Sequence, residues 1–103
     1  MLDVAILGCG RWGNNHLRTL ARLRDSGLIN KISVVDVSQS ARDSATQADF
    51  VFKSMDGVSA DLVIVATPSD LHAIQARELM AAGYHVLVEK PLGCCEAEAA
   101  QVL

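Results

Sequence analysis

Three cysteines, Cys9, Cys94 and Cys95, are all that the sequence offers for disulfide or thiolate chemistry. An odd count sets up no disulfide framework. The adjacent pair is poorly spaced for a metal site and strained for a mutual bridge, so no metal is expected. All three are read as structural, because free cysteine packs as a small hydrophobe. Basic runs are missing too, and the net charge is −3 at pH 7. That argues against a nucleic-acid partner and against an anionic membrane surface. No apolar run reaches the roughly 20 residues of a membrane-spanning helix. Met1 leads straight into a strand rather than a signal peptide, so the expected location is cytoplasmic. Repeats, linkers and low-complexity segments are absent. What is present is a 103-residue chain, 50% hydrophobic and 20% charged. It is large enough to form one domain with its own core.

The strongest local signal is Val4-Ala5-Ile6-Leu7-Gly8-Cys9-Gly10-Arg11-Trp12-Gly13. An apolar strand ends in glycines spaced G-x-G-x-x-G, and an amphipathic segment follows at once. In that context the spacing points to a dinucleotide. Gly8 permits a tight turn, Gly10 permits close backbone approach to a pyrophosphate, and Gly13 permits close packing of the helix on the sheet. The helix N-terminus supplies unpaired N–H groups for an anion.

Beyond it, strands are predicted over Asp3–Leu7, Lys31–Val37, Phe50–Phe52, Asp61–Ala66 and Tyr84–Val88, from their apolar and β-branched content. Helices are predicted from the glycine turn to Asp25, over Ala41–Ala48, from Ser69 or Asp70 to Ala82, and over Cys94–Leu103. Leu17, Leu20, Ala21 and Leu28 form the inward face of the first, while Arg18, Arg22 and Arg24 reach water. Gly27 and Gly83 end the first and third helices, and Ser38 or Ser40 caps the second. Ser54–Ala60 is short for a crossover, but seven residues can span roughly 23 Å, enough to pass two strands. Alternating strands and helices predict an α/β fold, a doubly wound parallel sheet of five strands in the order 3-2-1-4-5. Every sharper motif then falls on the sheet's C-terminal edge, where ligands bind. Asp36, ending the second strand, can accept hydrogen bonds from a ribose diol and would repel a 2′-phosphate, which favours NAD over NADP. Arg42, just beyond, could soften that preference.

Thr67-Pro68-Ser69-Asp70-Leu71-His72 and Glu89-Lys90-Pro91, with the glycine turn ahead of them, carry a family likeness. Over its whole length the chain resembles the N-terminal, Rossmann-fold half of the Gfo/Idh/MocA oxidoreductases, which include glucose–fructose oxidoreductase and inositol dehydrogenase. The resemblance implies an NAD cofactor. Its pyrophosphate would be held by Gly8, Gly10 and Gly13 with the backbone of Arg11 and Trp12. Asp36 would hold the adenosine ribose. Thr67 and Pro68 would flank the cofactor, with His72 near its nicotinamide end. Glu89 and Lys90 would lie beside the nicotinamide ribose. Lys90 would also reach the reacting hydroxyl of a sugar-like substrate, where an ammonium favours a developing alkoxide. The Lys90–Pro91 bond is a candidate for cis geometry. Each residue also has a plainer reading: His72 covering the first turn of its helix, Lys90 a solvated loop lysine, Trp12 covering either the cofactor or the helix start. His16 and His85 belong to no motif and are read as structural.

Family enzymes continue into a second domain that holds the catalytic Asp and His, and the 103 residues do not contain it. The expected role is therefore the NAD-binding half of an enzyme oxidising a sugar or cyclitol hydroxyl, with little turnover by this polypeptide alone. W-G-x-N after the glycines hints at nucleotide sugars. A non-catalytic NAD-sensing module is the alternative, and a coenzyme A or FAD domain a third. Glu89-Lys90-Pro91 favours the first, and Asp36 disfavours coenzyme A, whose ribose is phosphorylated. An open fifth-strand edge predicts a homo-oligomer.

Overall fold

The structure, a computed structural model, describes residues 2–67 and 71–88. Eight elements follow in the order β1 (Val4–Leu7), α1 (Arg11–Asp25), β2 (Ile32–Val35), α2 (Gln39–Ser44), β3 (Phe50–Phe52), β4 (Leu62–Val65), α3 (His72–Ala81) and β5 (His85–Val88). The five strands form one sheet in the order β3-β2-β1-β4-β5, and every pairing is parallel. The central register runs Ile6 beside Val34 on one side and Ile64 on the other.

Side chains alternate across a strand, so each central strand feeds two cores. Val4, Ile6, Ile32, Val34 and Ile64 pack with Leu17, Leu20 and Ala21 of α1. Ala5, Val35, Val63 and Val65 pack on the other face, with Leu79 of α3. Burial on both faces explains the near-continuous apolar runs of β1, β2 and β4. Burying one such Val or Ile contributes about 1.5–3 kcal/mol. The crossover from β3 to β4 contains no helix. Met55 and Val58 instead lie against the second core, and the Tyr84 hydroxyl donates to the Val58 carbonyl at 3.1 Å.

β3 spans the expected Phe50–Phe52, and the other four strands are one to three residues shorter than the sequence predicts. α2 begins earlier and ends sooner than predicted. Ser38 is its cap, accepting from the Ala41 amide at 3.3 Å. Leu28 is a correction: it is 65% exposed. Gly27, at φ +80°, reverses the chain in a Schellman turn. Its amide bonds to the Arg24 carbonyl and that of Leu28 to the Leu23 carbonyl, which carries Leu28 off the helical face. Arg24 is a second correction. Its Nη1 turns from water to the Gln47 carbonyl at 2.8 Å and to Asp49 Oδ2 at 2.9 Å, tying α1 to the loop before β3. The expected caps Ser69 and Asp70 and the expected last helix lie outside the described residues, as does the Lys90–Pro91 bond.

Candidate functional site

The three glycines of the turn do different work. Gly8 follows β1 at φ +91°, and an added Cβ would stand 2.8 Å from Thr67 Cγ2. Both its conformation and its space exclude a side chain. Gly13 is tighter: its Cβ would lie 2.1 Å from the Gly8 carbonyl oxygen and 3.7 Å from Ile6 Cγ2. The third glycine therefore packs the start of α1 against the turn itself as well as against β1. Gly10 is the opposite case. Among the described residues, beyond its chain neighbours, nothing lies within 4 Å of its Cβ position. Its φ is −82°, and the position lines an open cavity.

Gly10 is also the N-cap of α1, with no side-chain cap and no acidic residue in the first turn. The first helical bond runs from the Asn14 amide to the Gly10 carbonyl at 2.9 Å. The amides of Arg11, Trp12 and Gly13 precede that ladder, and no carboxylate of the helix's own first turn offsets their partial positive charge. The Asn14 side chain donates to the carbonyls of Cys9, at 3.3 Å, and Gly10, at 3.1 Å, which fixes the peptide planes of the turn. Cys9 is buried between the glycines. Burial pushes its thiol up, and the nearby Asp36 charge adds to the effect. It is a packing residue, as the sequence predicts.

Asp36 stands one step beyond β2. Its Oδ2 accepts the Cys9 amide at 2.8 Å, and its Oδ1 accepts the Ser38 amide at 2.9 Å. A carboxylate offers about four acceptor positions. Each oxygen therefore keeps capacity for a diol hydroxyl. Arg42 does not enter the cavity wall. Its Nη1 donates to the Asp36 carbonyl at 2.8 Å and to the Val37 carbonyl at 3.1 Å.

The cavity measures about 730 Å³, within the range of ligand clefts. It runs along the C-terminal edge of the sheet, where strand order reverses between β1 and β4. Gly8 and Gly10 line its middle, Asp36 and Lys53 one end, and Thr67 and Gln75 the other. Of the expected residues, the structure thus brings Gly8, Gly10, Asp36 and Thr67 to one cleft, with Gly13 behind the turn. Arg11 and Trp12 contribute the first backbone positions of α1. Pro68, Glu89 and Lys90 lie outside the described residues.

His72 is 2% exposed and is not among the described residues lining the cavity. Its Nε2–H donates to the Thr67 carbonyl, so it holds the turn after β4 from beneath. Gln75 is a cavity residue that sequence reasoning missed. It lies three residues after His72 on α3, and Thr67 Oγ1 donates to its Oε1. A polar residue one turn into a helix that starts at the ligand edge was the available signal. Lys53 was missed as well, although it directly follows a strand. Among the described residues no cluster of His, Cys, Asp or Glu is arranged for a metal. None of the described helices is long and apolar enough to cross a membrane.

These features fit a dinucleotide: a glycine position open to the cleft, uncapped helix amides, and a carboxylate with acceptor capacity at one end. A family model described as an oxidoreductase family with an NAD-binding Rossmann fold, GFO_IDH_MocA, matches residues 2–103. Inositol 2-dehydrogenase of Leifsonia xyli subsp. xyli is 31% identical over 106 residues, an alignment covering 99% of this chain and 31% of that protein. The WlbA dehydrogenase from Bordetella pertussis, solved in complex with NADH and UDP-GlcNAcA, superposes with a TM-score of 0.84 at 29% identity, covering 96% of this chain and 31% of that one. Scyllo-inositol dehydrogenase from Lactobacillus casei, solved with NAD(H) and scyllo-inositol, gives 0.82 at 25% identity, covering 99% and 32%. The chain thus spans about a third of the length of the proteins it matches.

Proposed function

The chain belongs to the Gfo/Idh/MocA oxidoreductase family, with its NAD-binding Rossmann fold, and from that premise we propose that it is the cofactor half of a dehydrogenase acting on a sugar or cyclitol hydroxyl. One observation carries the reading. The turn at Gly8–Gly10, the uncapped start of α1 and the Asp36 carboxylate border one cleft of about 730 Å³. The Gly10 backbone and the first amides of α1 would hold the pyrophosphate, and Asp36 the adenosine ribose diol. Bound NAD would supply the hydride-accepting ring. Thr67, braced by His72 and Gln75, would form the wall toward that ring.

In this reading Glu89 lies beside the nicotinamide ribose and Lys90 orients the substrate hydroxyl, favouring negative charge on its oxygen. Proton abstraction needs a base within hydrogen-bond reach. Lys90 is the one catalytic candidate that the family likeness carries onto this sequence, so the 103 residues alone bind cofactor with little turnover. The sugar-like substrate class rests on the inositol and nucleotide-sugar relatives. A homo-oligomer and a cytoplasmic location belong to the same proposal.

Titration of the chain with NAD(H), followed by a dehydrogenase assay on inositols and sugars, tests it. The proposal expects saturable binding and a kcat far below the ordinary ~1–10³ s⁻¹. Absence of NAD(H) binding overturns the cofactor assignment, and an ordinary kcat overturns the division of labour.

A further inference from the structure

Among the described residues, the charged side chains that line the cleft are Asp36 and Lys53. They are neighbours by register. Val35 of β2 pairs with Phe52 of β3, and the Asp36 amide donates to the Phe52 carbonyl at 3.0 Å. One step further along two parallel strands sets Asp36 beside Lys53. Residues level with one another on adjacent strands project to the same side of a sheet. Lys53 is exposed and, among the described residues, makes no ion pair. Behind Asp36, the Arg42 guanidinium is fixed on the Asp36 and Val37 carbonyls. Among the described residues, the lining at this end of the cleft thus carries one charge of each sign, with Arg42 held behind Asp36.

We propose that Lys53 is a second specificity determinant at the adenosine ribose, and that it lets the cleft accept the 2′-phosphorylated dinucleotide, NADP(H), beside NAD(H). The inference rests on the cofactor reading above and adds to it. Asp36 alone would exclude a 2′-phosphate by like-charge repulsion. An ammonium one strand over offers that phosphate a charge-assisted hydrogen bond and offsets the repulsion. Arg42, already held by two carbonyls, contributes its field rather than a direct contact. The site then prefers NAD(H) only shallowly. Lys53 follows the third strand, whereas the ribose-binding acid follows the second, so a search confined to the end of β2 passes over it.

The test is calorimetric titration of NADH and NADPH into the wild-type chain, Lys53→Met and Lys53→Glu. Lys53→Met keeps most of the apolar stem, and both substitutions are at an exposed position. The expected wild-type affinities lie within about tenfold of each other. Lys53→Met should weaken NADPH about tenfold, the size of one charge-assisted hydrogen bond at an exposed site, and Lys53→Glu should weaken it further. NADH should change by less than about threefold in both. Raising salt from about 0.05 to 0.5 M should weaken NADPH more than NADH in the wild type, and that difference should vanish in Lys53→Met. Wild-type NADPH binding more than about a hundredfold weaker than NADH overturns the role of Lys53, as do equal losses of both ligands in Lys53→Met. Those outcomes leave the NAD(H) assignment standing. Failure of NADH itself to bind overturns both.

Discussion

Asp36 Oδ2 accepts the Cys9 amide at 2.8 Å, so the carboxylate after β2 and the glycine turn after β1 are one hydrogen-bonded unit. The same side chain holds the Ser38 amide, which begins α2. A residue assigned to ligand recognition thus also closes two loops of the free protein. Asp36→Ala should cost stability as well as affinity. Two amides lose a charged acceptor, for an expected loss of about 1–3 kcal/mol. At about 4–8 °C per kcal/mol for a domain of this size, thermal unfolding reads that directly. NADH affinity should fall more than tenfold in parallel. A variant that loses NADH binding with an unchanged melting temperature would show that the Cys9 and Ser38 contacts carry no stability.

The second and third glycines should separate cleanly. Gly13→Ala places a methyl 2.1 Å from the Gly8 carbonyl oxygen. Relief requires the start of α1 to move, at a cost of about 1–3 kcal/mol or more. Among the described residues beyond its chain neighbours, Gly10→Ala meets nothing within 4 Å, so stability should stay within about 1 kcal/mol of wild type. Its NADH affinity should nonetheless drop, because the methyl stands where a ligand would approach. Urea melts of both variants, with and without NADH, check the contrast.

His72 should behave as a brace. His72→Ala removes a buried donor from the Thr67 carbonyl, and the expected loss is about 1–3 kcal/mol. NADH affinity should change only a few-fold, through the Thr67 turn. An unaltered melting temperature with a large loss of affinity would instead place the imidazole on the cofactor.

Acid should loosen the contact between α1 and the β3 loop. Burial opposes the charge on Asp49, but the Ile32 amide and the Arg24 guanidinium outweigh it and hold the carboxyl below its ordinary 3.8. A depressed folded value contributes stability that is present above the unfolded value. It is lost as pH falls through the folded one. Asp49→Asn should therefore be less stable than wild type at pH 7 and indistinguishable from it once the wild-type carboxyl is protonated. Chemical denaturation at pH 7 and near pH 2 measures both ends.

The sheet order was legible because strands β1, β2 and β4 carry near-continuous apolar runs and because the glycine turn marks the first crossover. The place of Asp36 on the cleft was legible from its position after β2. Its grip on Cys9 was not, since a contact between two loops has no sequence period. Leu28 misled because helical spacing continues through Gly27 although the backbone does not. Helical spacing alone turns Arg24 to solvent, because its acceptors, Gln47 and Asp49, lie more than 20 residues away. Gln75 and Lys53 needed the register and the fold together before either could be placed on the cleft.

Amide chemical-shift mapping of the ¹⁵N-labelled chain during NAD titration most directly tests the Gly8–Gly13 turn and Asp36 as the NAD site. Saturable shifts should concentrate at Gly8, Gly10, the first turn of α1, Asp36, Ser38 and Thr67. Asn30, Lys31 and Asp61, at the opposite edge of the sheet, should stay still. Shifts centred on that opposite edge, or no saturable shifts at millimolar NAD, would contradict it.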